Sequence, residues 1–279
     1  MSDWLQNLMD KGLVPYVATS EDILPALDLS HFGGHEIVRL IEDPAARNFH
    51  EAYLVSNSLA FGHPDIKMPN WVYIDCVLMQ TAVIGFCIPV DKAPGALVSL
   101  YERDPYVNTG DLDYIPVSGQ IASLNLSGDA LTGFSLFSLR RQLEGMDLPK
   151  LGVLTKYAAL RAYRADERDR FYGLSQYDNP ALRAHTLFTD KMVIDQTIMP
   201  LHPLREMSFK YSMKIKFDEK RILAGVDKTG PAPDFLLKAD DTAKKTAMQE
   251  SIQHGKHFVI LDPVHIYQDD GLYLPIGEE

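Results

Sequence analysis

The chain has 279 residues, 46% of them hydrophobic and 23% charged, which is typical of a soluble protein with one large domain or a domain plus an appendage. Its formal net charge of −11 argues against nucleic acid or an anionic membrane as the main partner. The longest apolar run, 82–90, is only strand-sized, and the N-terminus lacks the charged-then-apolar pattern of a secretion signal. We therefore expect a cytoplasmic protein. Cys76 and Cys87 are expected to be buried free thiols, with a disulfide left open.

The N-terminal segment, 1–48, predicts one short helix followed by irregular pieces. Residues 3–11 suit a helix that ends at Gly12, and the prolines after it break the chain into short runs. The apolar run over 36–42 suits a strand or a helix equally well. A second helix is predicted over 45–61, with Gly62 as its end.

The clearest sheet signal is the run of β-branched and aromatic residues over 71–90, which predicts a hairpin with its turn at Gln80 and Thr81. Asp75 lies inside this run. It is either a residue at a strand end or a buried, hydrogen-bonded carboxyl group with a raised pKa. Residues 95–104 suggest a further short strand, and two more strands are predicted on either side of the turn at 127–129.

The stretch 145–190 contains the densest set of backbone signals. It predicts a glycine-bearing turn, an amphipathic helix from about residue 150, a strand that ends near Gln176, and a second short helix. Two strands follow, over 191–200 and 205–217, the second with clean two-residue alternation. The C-terminal part, 218–279, predicts a linker, a polar helix that begins at Asp240 or Asp241, and two strands.

This order of elements over about 50–217 resembles the GNAT (N-acetyltransferase-like) superfamily as a divergent member. The segment 178–194 looks like that family's last helix and next strand, with Ala181 and Leu182 in the Ala-aliphatic place and His185 in the place of a Tyr or His. The family's phosphate loop has Arg or Gln, two residues, Gly, one residue, then Gly or Ala. Here Gln142 and Gly145 match its beginning, while a register that ends on Gly152 matches only its last glycine.

The resemblance implies an α/β (α+β) fold with a mixed, largely antiparallel central sheet flanked by helices. Residues 49–217 would form the GNAT-like core, between the N-terminal segment 1–48 and a C-terminal appendage over 218–279. It also implies acetyl-CoA or another acyl-CoA as co-substrate, and a small amine or amino-acid-like acceptor. No metal is expected, and a homodimer is left open.

The family resemblance also suggests site residues. A backbone cradle for the CoA pyrophosphate would lie at the helix start, a position suited to phosphate; its candidates are Lys150, Gly152, Val153, Leu154 and Lys156. His185 would protonate the leaving thiolate, with a helix histidine bonded to a carbonyl as the structural alternative.

A general base is also needed, and its candidates are Asp75, Glu144 and Asp178. For Asp178 an N-cap role is the alternative, because it precedes Asn179 and Pro180. Gln176 would bind polar groups of the acceptor, or would simply be a satisfied turn amide.

Two other functions stay open from the sequence. One is a GNAT-fold protein that has lost CoA transfer and serves as a biosynthetic enzyme with another ligand, since neither register of the phosphate loop is complete. The other is a non-catalytic interaction protein whose apolar hairpin and C-terminal appendage serve assembly.

Overall fold

A computed structural model describes residues 3–33, 37–40, 44–61, 81–125, 127–143, 145–199, 207–225 and 231–279. These divide into two compact units, Met1–Leu124 with Phe134–Ala165 and Asn125–Gly133 with Asp166–Glu279. The units divide at other positions than 48 and 217, and the three-part organisation stays a prediction. None of the helices in the described ranges is long and apolar enough to cross a membrane.

The described residues of the first unit form five strands in the spatial order β2-β1-β3-β4-β5. Their bounds are Val14–Ala18 (β1), Val38–Leu40 (β2), Thr81–Pro89 (β3), Tyr114–Leu124 (β4) and Ala130–Ser138 (β5), of which 134–138 belongs to this unit. Strand β3 pairs antiparallel with both β1 and β4, and the short β2 pairs parallel with β1.

Where the structure describes this unit, four helices accompany the strands: Asp3–Asp10 (α1), Pro44–Phe61 (α2), Gly95–Tyr101 (α3) and Leu151–Ala162 (α4). Helix α2 contacts one face of β5, where Asn57 Nδ2 donates to Ser135 Oγ at 2.9 Å and the Tyr53 and Phe137 rings lie 5.1 Å apart. Because side chains alternate along a strand, the intervening residues of β5 face the other side, where α4 begins.

A buried polar network fixes α4 to the sheet. Thr155 Oγ1 lies 2.7 Å from Ser118 Oγ and 2.8 Å from the Leu151 carbonyl oxygen, and Tyr16 donates to the Ser118 carbonyl at 3.0 Å. Thr155 and Ser118 are fully buried. Since a buried hydroxyl without a partner costs free energy, this network specifies how α4 seats on β4.

The second unit is built on a mainly antiparallel set of strands. The strand bounds are Arg170–Gln176 (β6), Met192–Ile198 (β7), Ser208–Met213 (β8), Phe235–Lys238 (β9), Phe258–Ile260 (β10), Ile266–Gln268 (β11) and Gly271–Glu278 (β12). The spatial order is β6-β8-β7-β10-β12, and β9 and β11 also pair with β12. Residues 130–132 of β5 pair parallel with 170–172 of β6. The helices are Ala181–Thr186 (α5), Glu219–Ala224 (α6) and Thr242–Gln253 (α7).

Among the described strands β9 pairs only with β12, so its other edge has no strand partner. Ala239 N donates to the Leu272 carbonyl at 2.8 Å, and the same antiparallel register gives Leu236 a position whose backbone groups face away from β12. The Leu236 carbonyl receives a hydrogen bond from Lys244 Nζ at 3.1 Å. The same ammonium lies 4.4 Å from the centre of the Phe235 ring.

The predicted fold class is confirmed, because the described pairings are antiparallel except for β1 with β2 and β5 with β6. The helices expected at 3–11 and from about 150, the two strands around the 127–129 turn, and the N-cap role of Asp241 are also confirmed. Cys87 is a buried free thiol, as expected.

Two local predictions were wrong. Residues Gly95–Tyr101 form a helix, not a strand, and bury Leu97 and Tyr101 at the four-residue spacing of a helical face. The predicted linker after 218 begins with helix α6, because Asp218 accepts a hydrogen bond from Arg221 N and Gly225 takes the left-handed conformation that ends a helix. The first strand of the predicted 71–90 hairpin, Cys76 and Gly62 lie outside the described residues.

Candidate functional site

The start of α4 has no side-chain cap from its N-cap residue. That residue is Lys150, which has left-handed backbone angles (φ 60°, ψ 21°) and whose ammonium group cannot accept a hydrogen bond from the helix N–H groups. The first N–H groups of a helix have no carbonyl partner in the helix itself, and the helix dipole adds partial positive charge there. This end of α4 is therefore suited to bind an anionic group such as a phosphate.

Gly152 keeps this helix start open. A Cβ atom built at this position would lie 3.6 Å from Ser138 Cβ, which is an ordinary contact, and its φ is not in the left-handed region. Neither packing nor backbone conformation therefore demands a glycine here. The consequence of having one is that residue 152 places no side chain over the N–H groups at this helix start, where Gly152 and Val153 are half-buried.

An apolar row on β5 leads to the same place. Phe134 is 52% exposed, Leu136 and Ser138 are half-buried, and the two-residue alternation puts all three on the face opposite to α2. Ser138 is the residue nearest to Gly152. The first unit thus combines a partly exposed apolar strip with an uncapped helix N-terminus at its end.

The cations around α4 differ in accessibility. Lys156 is fully buried, and burial lowers the pKa of its ammonium group well below the ordinary value, so its side chain offers no surface to a ligand in this structure. Lys150 is half-buried, whereas Arg140 and Arg141, between β5 and α4, are exposed. Sequence reasoning missed these two arginines; their signal was a doubled arginine immediately before the glycine turn.

Two of the predicted catalytic carboxylates, Asp75 and Glu144, lie outside the described residues. The assignment of either as a general base stays a prediction. Gly145, which follows Glu144, has a φ of 89°, a left-handed conformation that glycine adopts without steric cost. The turn character predicted for the start of the 145–190 stretch is therefore present.

In the second unit, His185 lies in the last turn of α5 and is 8% exposed. Its ring centroid is 5.4 Å from that of Tyr211, at an interplanar angle of 46°. Tyr211 is 2% exposed, and burial raises the pKa of its hydroxyl group above the usual value. Tyr211 therefore remains a neutral phenol at physiological pH, packed beside the histidine.

Gln176 and His185 lie toward opposite faces of the second unit's strands. Gly173 pairs with Tyr211 across β6 and β8, so the face that carries Tyr211 is the face that His185 contacts. Gln176 is three residues from Gly173 and shares the other face with Leu174, by strand alternation. The structure thus does not bring the Gln176 and His185 side chains onto one face.

The turn after β6 is organised by Asn179 and not by Asp178. Asn179 Oδ1 accepts a hydrogen bond from Ala181 N at 2.9 Å, while the N-cap of α5 is Pro180, without a side-chain cap. The N-cap interpretation of Asp178 was therefore wrong, and Asp178 is exposed. The turn is also held by His265, whose Nε2 lies 3.1 Å from the Tyr177 carbonyl oxygen.

The described residues contain no group of three or more His, Cys, Asp or Glu side chains placed to hold a metal ion. The expectation of a reaction without metal is not tested by this finding. Each unit has its own candidate site: the β5 row with the start of α4 in the first unit, and the His185–Tyr211 pair in the second.

No protein-family model matches the chain, and no curated protein matches it. Three solved structures that it is similar to are a NatC complex bound to Gag peptide and CoA, nourseothricin acetyltransferase, and a Klebsiella pneumoniae subsp. pneumoniae MGH 78578 protein described as an acyl-CoA N-acyltransferase. The first has 9% identity and a TM-score of 0.41 over 62% of this chain and 95% of the other. The second has 11% identity and a TM-score of 0.32 over 50% of this chain and 67% of the other. The third has 11% identity and a TM-score of 0.32 over 63% of this chain and 92% of the other.

TM-scores of 0.41 and 0.32 indicate a distant likeness. A function for this chain therefore has to be argued from its own residues.

Proposed function

We propose that this protein is an acyl-CoA-dependent N-acyltransferase that acts on a small amine or an amino-acid-like acceptor. The observation that carries the proposal is the pairing, in the first unit, of the apolar β5 row with the uncapped start of α4. A CoA thioester has an apolar acyl end, an amide-bearing arm and a pyrophosphate. The row suits the arm, and the helix start suits the pyrophosphate.

The backbone N–H groups from Leu151 to Val153 form the proposed phosphate cradle, which depends on Gly152 for access. Leu154 lines the cradle only by its position, because its N–H already donates to the Lys150 carbonyl oxygen at 3.0 Å. Lys150 adds positive charge at the N-cap, and Arg140 and Arg141 add exposed charge in the preceding loop. Lys156, fully buried, supports the cradle through its place in α4 and not through a phosphate contact.

In the proposed reaction, the neutral amine of the acceptor attacks the thioester carbonyl carbon. The C–N bond forms, the C–S bond breaks, and the thiolate leaves and takes up a proton. His185 is the proposed donor of that proton, as the family resemblance implies. Asp75, Glu144 and Asp178 remain the proposed acceptors of the ammonium proton, and Gln176 a proposed partner for polar groups of the acceptor.

Isothermal titration calorimetry with CoA, acetyl-CoA and longer acyl-CoAs tests the proposal directly. We expect at least one of these species to bind, and Gly152→Ala to weaken binding about tenfold because the added methyl group covers the N–H donors. Gly95→Ala is the matched control, since it also adds a methyl group to the first turn of a helix but has no heavy atom within 4 Å. If no CoA species binds the wild-type chain, the proposal is wrong.

The charge of the loop gives a second measurement. Replacing Arg140 and Arg141 together by Gln should lower CoA affinity and reduce its dependence on salt concentration, because exposed charges act through a screened field. If Gly152→Ala weakens CoA binding and the double arginine variant binds CoA like the wild type, the phosphate site is restricted to the helix start.

A specific observation also favours the alternative of a GNAT-fold enzyme with another ligand. Lys150 takes a left-handed backbone conformation that glycine adopts at lower cost, and the phosphate loop of the family is glycine-rich. A crystal soaked with CoA separates the two functions. Density for CoA at α4 supports acyl transfer, and density for a different small molecule on the β5 row supports the alternative.

A further inference from the structure

Helix α5, which carries His185, is too short to be stable by itself. It has six residues, Ala181–Thr186, and its N-cap, Pro180, makes no side-chain hydrogen bond to it. An isolated helix of fewer than about 12 residues is marginal in water, so the position of His185 depends on what α5 contacts. On the sheet side the contact is the ring of Tyr211, whose centre is 5.4 Å from that of the His185 ring.

The residues that follow α5 are tied to the segment 216–225. The His185 carbonyl oxygen accepts a hydrogen bond from Phe188 N at 3.1 Å, and the Phe188 carbonyl oxygen accepts one from Lys216 N at 2.8 Å. The Phe188 ring, which is fully buried, has its centre 6.4 Å from that of the Phe217 ring, at an interplanar angle of 88°. The C-terminal end of α5 is therefore fixed by backbone and ring contacts together.

Arg221 adds a buried charge to this end of the helix. It donates from Nη1 to the Thr189 carbonyl oxygen at 2.9 Å and from Nη2 to Asp262 Oδ2 at 2.8 Å. The Arg221 and Asp262 side chains are 9% and 7% exposed. Because taking charges out of water is costly, such a pair adds little net stability over apolar packing, but the planar guanidinium group fixes the direction of both contacts. The backbone that Arg221 fixes is four residues after His185.

Two further side chains hold the body of α5 and the turn before it. The exposed Arg183 donates from Nη2 to the Gly225 carbonyl oxygen at 3.3 Å. His265 Nε2 lies 3.1 Å from the Tyr177 carbonyl oxygen and donates to it, because a carbonyl oxygen only accepts. Arg183, Arg221 and His265 thus bond α5 and the chain on either side of it to the C-terminal part of the second unit.

We infer that these three side chains position His185 for the proton transfer to the thiolate. None of the three has to contact a substrate, because each acts through the backbone of α5 or of the turns beside it. A displacement of a catalytic group by about 1 Å can lower a rate about a hundredfold, so the support of this short helix decides how well His185 works. The inference rests on the proposed function, for which it gives residues 216–265 an intramolecular role.

The first test observes the His185 ring in the full chain without any CoA. Its Cε1–Hε1 signal in a ¹H–¹³C NMR spectrum is identified by its loss in His185→Gln. We expect Arg183→Met and His265→Leu each to shift this signal and to weaken its nuclear Overhauser effect to the Tyr211 ring. His265→Gln should restore the wild-type signal, because the amide keeps a donor for the Tyr177 carbonyl. A wild-type signal in both Arg183→Met and His265→Leu would overturn the inference.

Two controls separate positioning from a general loss of stability. Lys214→Met should leave the His185 signal unchanged, although Lys214 is also an exposed cation that donates to a backbone carbonyl, that of Arg168, at 2.5 Å. Arg221→Met is compared with Leu237→Ala, which removes a fully buried side chain from β9 and leaves the named contacts in place. Equal changes of the His185 signal in these two variants would overturn the inference. Arg183 is exposed, so its replacement preserves the fold even if Arg221→Met does not.

A thiol-release assay with acetyl-CoA and simple amines separates this inference from the proposed function. We expect Arg183→Met and His265→Leu to lower kcat about tenfold and to leave the KM for acetyl-CoA unchanged, because the proposed CoA cradle lies in the first unit. Thiol release at the wild-type kcat in both variants would support acyl transfer and overturn the positioning role. A changed His185 signal without binding of any CoA species would support the positioning of His185 and overturn acyl transfer.

Discussion

Gly173 in β6 gives the sharpest test of how the His185–Tyr211 pair is held. A Cβ atom built at Gly173 would lie 2.8 Å from Tyr211 Cε1 and closer still to its Cζ and hydroxyl oxygen, which is tighter than real side chains allow. Tyr211 cannot move aside freely, because it is 2% exposed and its ring also packs against His185 and Phe209, at centroid distances of 5.4 and 6.1 Å. Gly173→Ala therefore overpacks a closed cluster.

Overpacking of a well-packed core typically costs about 1–3 kcal/mol. The loss of backbone freedom in the unfolded chain offsets about 0.4–1 kcal/mol of that. We therefore expect Gly173→Ala to lower the free energy of unfolding by roughly 1–2 kcal/mol. In a Tyr211→Leu background the same change should cost less, because the atoms it meets are gone.

The measurement is urea unfolding followed by circular dichroism, with Gly95→Ala as the control. That position has no neighbour within 4 Å and starts a helix, so its variant should be unchanged or more stable by up to about 1 kcal/mol. A Gly173→Ala protein as stable as the wild type would refute the described packing of Tyr211 on β6.

Three further predictions concern buried charge. Burial lowers the pKa of His31 to about 4, so the unfolded chain takes up this proton at a higher pH than the folded chain does. The free energy of unfolding should therefore fall by up to about 3 kcal/mol as the pH is lowered from 6.5 to 4. His31→Gln should flatten that part of the plot of urea midpoint against pH. Burial lowers the pKa of Lys156, so the free energy of unfolding should rise from pH 7 towards 10. Lys156→Met should remove this rise, and a variant that keeps the full rise would contradict the prediction. Arg221 donates to the Thr189 carbonyl at 2.9 Å and pairs with Asp262 at 2.8 Å, both side chains being over 90% buried. Arg221→Met should cost roughly 3 kcal/mol or more, and Arg221→Lys should fail to restore it in thermal unfolding, because a lysine cannot span both acceptors.

Local signals with a single physical cause were predicted correctly from the sequence. The helix start at Asp241 depends on one side-chain acceptor three residues before Lys244 N, and the turn at 127–129 depends on polar residues and a glycine. Helix α3 was missed because Val98 and Leu100 favour a strand locally, whereas the burial of Leu97 and Tyr101 on one helical face decides the outcome. Tertiary packing overrode local preference there.

The candidate site could be predicted only in part, because its geometry depends on strand register. The position of His185 on α5 follows from the sequence, but its partner Tyr211 is 26 residues away and is brought to it by the pairing of β6 with β8. Gln176 lies on the other face of the strands, and this likewise depends on which residues of β6 point to which face.

The hydrogen bond from Lys244 to the Leu236 carbonyl bears on how the protein behaves at high concentration. An open β-edge can recruit the same edge of another molecule and begin aggregation. Here the Lys244 ammonium group donates a hydrogen bond to the outward-facing Leu236 carbonyl oxygen and lies over the Phe235 ring. An approaching strand would therefore meet a positive charge in place of a free acceptor. Lys244 therefore acts as a gatekeeper residue, and any self-association of this chain should use a surface other than β9.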